Sequence, residues 1–533
     1  MKLSKSILIL LALFLAVPAI HAQDWEIAEP DFSGFSEEDR NILFEKDEEF
    51  RKALSKSDYV KAISIMHELR RLAKTNSNDY FYAWAVFRLG YAYSKLSEES
   101  GRKEYVEQTI RFLNEYLDIQ PEEEIAGQYA KVYKMLGWAY FRYAYVKDKF
   151  TNFRLALDNF KKALELYDDL GNKENTLYII YQLGSINHEM GIYSGDERYL
   201  YEAIDHFRRL LEEDGIENDP NFFSPTNGIL SNCYSLIARS QDNPEYLDSS
   251  YKYIQSSLTQ YGPDRYIKEY ANGLHSLASD YYLALSSFEE RRANLEKAIE
   301  YSEKAMGILT LENYPFRYCE CLHLLGVAYS RLYDLTNQTE YLEKAVDSHA
   351  GELEVFTYAD FPNENAGINT KLAALYIKHA DNKEPVEMLH RAEKAILKAL
   401  NVYTIHESPG RYTSARTQLC TVYEELASLG NRQEYLQKAL DELEKALSVV
   451  SAEDDPGTFA YVCQIAGDLY RQLSDIEERE LNFGKSIEYY SNVVENIDFQ
   501  DSPEHYCGAL CGLALTYAYM ADFGDTRKNL KKA

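Results

Sequence analysis

Apolar residues along most of this chain recur at steps of three or four, the spacing of one face of an α-helix. One representative segment carries them at Tyr318, Leu322, Leu325, Tyr329 and Leu332. The segment before it repeats the pattern at Leu295, Ala298, Ile299, Ala305 and Met306. No stretch of this part alternates with a period of two for long enough to predict a strand. The pattern therefore predicts an all-α fold.

The helical segments are copies of one unit. A Leu-small-x-x-Tyr phrase, such as Leu89-Gly90-Tyr91-Ala92-Tyr93, returns every 47 residues. Its last position, hereafter the tyrosine column, falls at residues 93, 140, 187, 234, 281, 329, 376, 423, 470 and 517, with Asn187 as the exception and one 48-residue step. A period of about 20–50 residues is typical of solenoids, because one such unit cannot bury its apolar face alone.

A second column of mostly small residues has the same period and the same slip. It runs through residues 62, 109, 156, 203, 250, 298, 345, 392, 439, 486 and 533. We therefore expect two helices in each unit, with the extra residue in the connection between Tyr281 and Ala298. The small residue that follows the leucine, such as Gly90 or Gly137, is expected to let the second helix approach closely.

Prolines predict where each first helix begins. In six units a proline stands fourteen residues before the tyrosine column, at 220, 315, 362, 409, 456 and 503. Proline suits the first helical position, where its missing N–H would be unsatisfied anyway. Asp219, Ser408, Asp455 and Ser502 precede four of these prolines and are expected to cap the helix.

The Leu-Gly-x-Ala-Tyr phrase, followed by a helix such as Ala298-Ile299-Glu300-Tyr301, resembles the tetratricopeptide repeat (TPR). The longer period is similar to the lengthened bacterial type found in the repeat arms of CHAT-domain proteins. The resemblance implies a right-handed α-solenoid, or superhelix, of about ten helical hairpins. It also implies a protein that binds protein partners, and no CHAT-type protease domain is visible in the sequence.

The two ends of the chain carry further signals. Lys2 and Lys5 precede an apolar run from Ile7 to Val17, and Ala22 is a suitable cleavage point, so residues 1–22 are predicted to be a signal peptide. Residues 23–35 form an acidic linker, 36–57 a capping helix after Ser36, and 58–533 the solenoid. The last unit is incomplete, which favours a fragment of a longer protein. We expect an exported bacterial protein, periplasmic or extracellular, without a membrane span after signal removal.

Composition narrows the function. The formal net charge of −29 disfavours binding to nucleic acid. Seven cysteines lack a Cys-x-x-Cys spacing and are interpreted as free cysteines that pack within the first helices. His275 and His323 share a column of neighbouring units, but no metal-ligand spacing joins them. We expect no Cys/His or Ser/His/Asp constellation, and hence no enzyme, no cofactor and no metal.

In the family that this chain resembles, five positions of each first helix line the concave groove. They lie nine, six and two residues before the tyrosine column and one and two residues after it, and are hereafter called the inner columns. In the first three units they supply the candidate partner-binding residues Trp84, Phe87, Tyr91, Lys95, Lys131, Lys134, Trp138, Phe141, Arg142, Tyr178, Tyr181 and His188. The alternative is that these residues fill the interior or pack against the N-terminal helix.

The prediction for function is an exported, non-enzymatic scaffold that binds a protein or an extended peptide in its groove. The lysines and Arg142 among the aromatic residues favour an acidic or aromatic segment. Two alternatives stay open. The chain could be the sensory or regulatory arm of a longer signalling protein or protease, with an output domain beyond residue 533. It could also bind a glycan that stacks on Trp84 and Trp138.

Overall fold

The computed structural model describes residues 35–119, 126–382, 384–406, 408–453, 455–500, 502–521 and 532. The predicted signal peptide, nearly all of the acidic linker and nearly all of the last unit after its first helix lie outside these residues. The chain divides into two compact units, Met1–Leu324 and Leu325–Ala533. The division falls inside one helix, α14 (Pro315–Thr336).

The described elements of the first unit are helices, joined by short turns. They are α1 (Glu37–Ser55), α2 (Tyr59–Thr75), α3 (Asp79–Ser100), α4 (Lys103–Ile119), α5 (Ala126–Ala144), α6 (Lys149–Asp169), α7 (Lys173–Ser194), α8 (Glu197–Leu211), a 3₁₀ turn (Ile216–Asn218), α9 (Phe223–Ser240), α10 (Tyr246–Gln260), α11 (Ile267–Ser276), a π-helical segment (Leu277–Tyr282), α12 (Leu283–Leu285) and α13 (Arg291–Met306). Ser36 caps α1 as predicted, accepting a hydrogen bond from the Asp39 N–H at 3.2 Å.

The second unit continues the same alternation. After the C-terminal part of α14 come α15 (Thr339–Glu352), α16 (Pro362–Ala380), α17 (Pro385–Leu400), α18 (Pro409–Leu429), α19 (Arg432–Leu447), α20 (Pro456–Leu473), α21 (Arg479–Asn496) and α22 (Pro503–Ala521). Within each of the two compact units, helices that follow one another along the chain pack as hairpins, as in α5 with α6 and α18 with α19. The predicted all-α fold of sequential helical hairpins is confirmed.

The small residue three positions before the tyrosine column packs as the sequence predicts. A Cβ atom on Gly137 would lie 2.8 Å from the ring of Phe160, and one on Gly467 would lie 2.7 Å from the ring of Tyr490. Each of these rings stands 23 residues further along, on the second helix of the same unit. The absence of a side chain on the first helix therefore makes room for a large one on its partner.

Proline begins the first helix in five of the six predicted cases, α14, α16, α18, α20 and α22. Pro220 does not, because a turn follows the 3₁₀ segment and delays the start of α9 to Phe223. Asp455 caps α20 by accepting from the Thr458 N–H at 3.0 Å. Ser408 makes no such side-chain bond at the start of α18.

Each described turn between a first and a second helix contains a residue in the left-handed region, with a φ angle between 39° and 70°. This left-handed position lies at Gly101, Asp148, Gly195, Asp242, Glu290, Asn337, Glu384, Asn431 and Glu478. The left-handed region favours glycine, and asparagine and aspartate tolerate it better than glutamate does. The intrinsic preference of the three glutamates opposes this conformation. They adopt it because the packing of the hairpin requires it.

The extra residue lies elsewhere than the sequence predicts. It belongs to the π-helical segment Leu277–Tyr282, inside the first helix, because a π turn accommodates one more residue than an α turn. Tyr282 stacks on Tyr301, as Tyr234 stacks on Tyr253, nineteen residues away in both cases. Tyr282 therefore takes the structural place of the tyrosine column, and the prediction that used Tyr281 and a longer connection is wrong.

A repeated cation-π contact supports the same register. Lysines fifteen residues after the tyrosine column lie over its rings, at 5.6 Å for Lys344 on Tyr329 and 4.8 Å for Lys485 on Tyr470. Lys297 lies 5.0 Å from the ring centroid of Tyr282, which is the same fifteen-residue offset.

Among the described helices, none is both long enough and apolar enough to cross a membrane.

Candidate binding site

A cavity of about 670 Å³ opens within the Met1–Leu324 unit. Its walls come mainly from the first helices α7, α9 and α11, from the start of α14, and from Ile254 and Ser257 of α10. The inner columns of units three to five supply Tyr181, His188, Pro225, Gly228, Asn232, Asn272, His275 and Ser279. The columns that the resemblance implied thus do face a common space in this part of the chain.

Small side chains leave this space unfilled. In unit four the inner columns carry Pro225 and Gly228, where unit two has Lys131 and Lys134. A Cβ atom on Gly228 would meet only the Ser276 hydroxyl, at 3.7 Å. The candidate residues predicted from the sequence lie in units one to three, which are rich in aromatic and cationic residues. The signal for a cavity was the opposite one, a run of small residues at inner positions.

A polar chain crosses one wall of the cavity. The side-chain amide of Asn232 donates to Asp280 Oδ1 at 3.0 Å, which turns its oxygen toward His188. His188 Nε2 lies 2.8 Å from that oxygen and therefore donates the proton. Asp280 also accepts from the Ser279 hydroxyl at 3.1 Å and from the Ser231 hydroxyl at 3.4 Å.

The π-helical segment places Asp280 in this chain. Counted from Tyr281, Asp280 is one residue before the tyrosine column and outside the inner columns. Counted from Tyr282, which holds the structural position, it is two residues before the column and inside them. Asp280 is 7% exposed, and burial raises the pKa of its carboxyl group. The 48-residue step indicated the extra residue, but the sequence placed it in the connection after Tyr281 rather than inside the first helix, and so Asp280 was missed.

A histidine and a cysteine meet beside the cavity, contrary to the expectation that no such pair would form. His275 Nδ1 lies 3.5 Å from the sulfur of Cys321, in the next unit. Cys321 is fully buried, and this burial raises its pKa to about 12, so the thiol stays protonated at neutral pH. Burial likewise lowers the pKa of His275. The pair packs as neutral groups, with the sulfur away from the cavity surface.

Arg317 and Glu320 form an ion pair at the start of α14, with 2.7 Å between Nη1 and Oε2. Both side chains remain about a third exposed, at 34% and 35%. The charge of Glu320 raises the pKa of Arg317 further. For Glu320, burial acts to raise the pKa but Arg317 and His275 lower it, with a net decrease. The Arg317 guanidinium on the cavity wall is thus already neutralised.

The predicted residues of unit one are buried among other side chains. Trp84 is 3% exposed, stacks on Phe81 at 4.9 Å between centroids, and carries the Arg88 guanidinium 3.9 Å above its ring. Arg88 in turn pairs with Asp47 of α1. Phe87 is fully buried against Tyr116. These contacts match the packing interpretation, in which this part of the chain packs on the N-terminal helix.

Two further residues of unit one contact each other. Lys95 Nζ lies 5.8 Å from the ring centroid of Tyr91, which is buried. The same ammonium bonds Glu98 at 3.0 Å.

The predicted residues of unit two are also held by internal partners. Lys134 Nζ donates to Asn175 at 2.9 Å, and the Trp138 indole N–H donates to the Tyr178 hydroxyl at 2.6 Å. Arg142 pairs with Glu98 at 2.9 Å. Burial acts to raise the pKa of Glu98, but Arg142 and Lys95 hold it below its ordinary value.

The other predicted residues of units two and three have different surroundings. Phe141 is buried against Phe153, whereas Lys131 is half-buried. Tyr181 and His188 reach the cavity. Partner binding by the candidate residues of units one to three stays a prediction.

The paired helices and their register define a TPR-like helical-repeat fold. No protein-family model and no curated protein matches the chain. Among solved structures, a human IFIT1 dimer with m7Gppp-AAAA is similar at 16% identity, over 86% of this chain and 88% of that one, with a TM-score of 0.43.

Two other solved structures resemble the chain to a similar degree. The yeast Tom70 structure is similar at 12% identity, over 89% and 96% of the two chains, with a TM-score of 0.32. A Rap protein complexed with competence and sporulation factor is similar at 12%, over 77% and 97%, with a TM-score of 0.35. Similarities this distant carry no inference about ligand or partner.

Proposed function

We propose that this protein is a non-catalytic binding scaffold that receives an extended segment of a protein partner in the cavity between α7, α9 and α11. The observation that carries the proposal is the cavity itself. It is formed by inner columns that larger side chains fill in repeat units one and two. Its volume of about 670 Å³ lies within the range of about 300–1,000 Å³ that is usual for ligand sites.

The lining suits a peptide chain. Apolar surface comes from Ile229, Tyr314 and Phe316, and polar atoms lie beside it on His188 and Asn272. His188 Nδ1 and Asn272 Oδ1 are buried without a hydrogen-bond partner. A buried acceptor without a partner costs about 1–3 kcal/mol, which a ligand that donates to it recovers. Backbone N–H groups and side-chain donors of a bound segment supply such donors.

Binding is a better interpretation than catalysis. The thiol that contacts His275 is that of Cys321, which is fully buried and whose pKa is raised to about 12. A nucleophile must reach the substrate and carry its charge at working pH, and Cys321 does neither.

Filling the cavity tests the proposal. Gly228→Trp places a large side chain in the space, since little lies near its Cβ position. The matched control is Gly484→Trp in α21, where a Cβ atom would meet nothing within 4 Å. Each protein is presented with a displayed library of random peptides, and the enriched peptides are resynthesised and titrated.

We expect the parent chain and Gly484→Trp to bind the enriched peptides equally, and Gly228→Trp to lose at least tenfold in affinity, about 1.4 kcal/mol. Equal binding by all three proteins would remove the proposal. The thermal transition of each variant checks that it is folded. Export remains part of the proposal on the pattern of residues 1–22 alone, and the first residue of the mature protein, expected at Gln23, tests it.

A further inference from the structure

We propose that the cavity selects a positively charged group, an ammonium or a guanidinium, on the segment that it binds. This inference rests on the proposed function and adds the chemistry of the ligand. It departs from the acidic segment that the sequence favoured. Three observations carry it: the tautomer of His188, the buried carboxyl group of Asp280 without an ion pair, and the internal pairing of the cations that suggested an acidic ligand.

The hydrogen-bond chain fixes what His188 offers. The Asn232 amide group donates to Asp280, so its oxygen must accept from His188 Nε2. Nε2 therefore carries the proton in the neutral ring, and Nδ1 holds a lone pair. His188 is 8% exposed, lines the cavity, and its Nδ1 has no partner. This atom calls for a hydrogen-bond donor on the ligand.

Asn272 presents a second acceptor to the same space. Its Oδ1 is buried and has no partner, and the residue lies on the cavity wall. Two acceptors aimed into one cavity favour a group with several donors and no acceptor. Ammonium and guanidinium groups have this character, with three and five N–H donors respectively.

The charges of the lining favour the same group. Asp280 is buried and forms no ion pair among the described residues. Arg317 is paired with Glu320, and the opposite charges of Lys268 and Glu269, which both line the cavity, cancel in number. One carboxylate therefore stays without a counter-ion next to the cavity. Burial without an ion pair raises the pKa of the Asp280 carboxyl group, so a cation on the ligand would pair with this group and favour its charged form.

The basis for an acidic ligand is correspondingly weak. Arg142 already pairs with Glu98, and Lys134 donates to Asn175. The formal net charge of −29 also attracts a basic partner and repels an acidic one at long range. The apolar surface of Tyr314 and Phe316 suits the aliphatic stem of a basic side chain.

The test uses blocked pentapeptides that differ only in their central residue, which is arginine, lysine, glutamine or glutamate. The flanking residues are taken from the library peptides that bind the parent chain. Free arginine and spermidine form a second arm, because a small amine has the same chemistry as a basic side chain. Affinities are measured by isothermal titration at fixed salt.

We expect the arginine or lysine peptide to bind at least about tenfold more tightly than the glutamine peptide, and the glutamate peptide to bind least. Tighter binding of spermidine or free arginine than of any peptide would assign the site to a small amine and overturn a peptide source. Equal or tighter binding of the glutamate peptide would overturn the inference.

Two variants locate the effect. Asp280→Asn removes the charge at constant size, and Asn272→Leu removes the second acceptor from a half-buried position that tolerates change more readily. Each should reduce the preference for arginine over glutamine about tenfold. The control Asp248→Asn removes a carboxylate from an exposed position on α10 and should leave the preference unchanged. An unchanged preference in both cavity variants, with thermal transitions intact, would contradict the inference.

The two proposals fail separately. If Gly228→Trp binds peptides as well as the parent chain does, the cavity is not the binding site, and the proposed function falls. If Gly228→Trp blocks binding but the central charge of the peptide has no effect, the scaffold proposal holds and only the cation preference is wrong.

Discussion

Units one and two and units four and five use the same inner columns in opposite ways. In α3 and α5 these positions carry Trp84, Phe87 and Trp138, each buried among neighbouring helices or paired inside the chain. In α9 they carry Pro225 and Gly228, and the space between α9 and its neighbours α7 and α11 stays open. A large aromatic residue at an inner position therefore fills the space between neighbouring first helices, whereas a small one leaves that space open.

The filled region should depend strongly on its large side chains. Trp138 is 2% exposed and contacts Phe141, Phe160 and Tyr178. Trp138→Ala should lower the free energy of unfolding by about 3–5 kcal/mol, because it leaves a cavity and removes the indole hydrogen bond to the Tyr178 hydroxyl. Urea denaturation measures the change. Peptide binding at α9 and α11 should persist under native conditions, and a stability loss below about 1 kcal/mol would contradict the assignment of Trp138 to packing.

The same substitution should have opposite signs in the two regions. In Gly184→Ala the new Cβ atom would lie 2.7 Å from the Phe207 ring, so we expect a loss of about 1–3 kcal/mol from overpacking. In Gly228→Ala the nearest atom is 3.7 Å away, and the better helix propensity of alanine should add up to about 1 kcal/mol. Thermal denaturation of the two variants compares them directly. Destabilisation by Gly228→Ala would show that the space is needed for folding.

The smallest effect concerns pH. Burial lowers the pKa of His275, so the unfolded state binds a proton before the folded state does as pH falls. Stability should therefore be intact above about pH 6.5 and fall below it, by at most about 1.4 kcal/mol per pH unit. His275→Asn should flatten this part of the profile in thermal unfolding across pH, whereas His390→Asn at an exposed position of α17 should not.

Several charged or titratable groups surround His275, and both variants keep these residues unchanged. They are Asp280, Arg317, Glu320 and His323. A profile for His275→Asn that matches the parent chain would contradict the burial of this ring beside Cys321.

Much of the fold follows from local pattern. Three features concern a single hairpin: the three-to-four spacing, the prolines that begin first helices, and the small residue three positions before the tyrosine column. One repeat unit therefore contains the information that predicts its own helices and their packing. Gly137 facing Phe160 is an example of a contact that both the sequence and the structure support. The site was harder, because burial of Trp84 or openness at Gly228 depends on what neighbouring units supply, and no single unit encodes that.

The sequence by itself determined the helices, their pairing, their period and the columns that face inward, because helical periodicity and the repeat are properties of residue order. Only the tertiary structure decided which inner positions stay open, and that a π-helical segment shifts Asp280 into the row with His188 and Asn232. That outcome depends on side-chain volumes from several helices and on one extra residue absorbed in the π-helical segment Leu277–Tyr282. Both are set by packing across units, where local propensity is overridden.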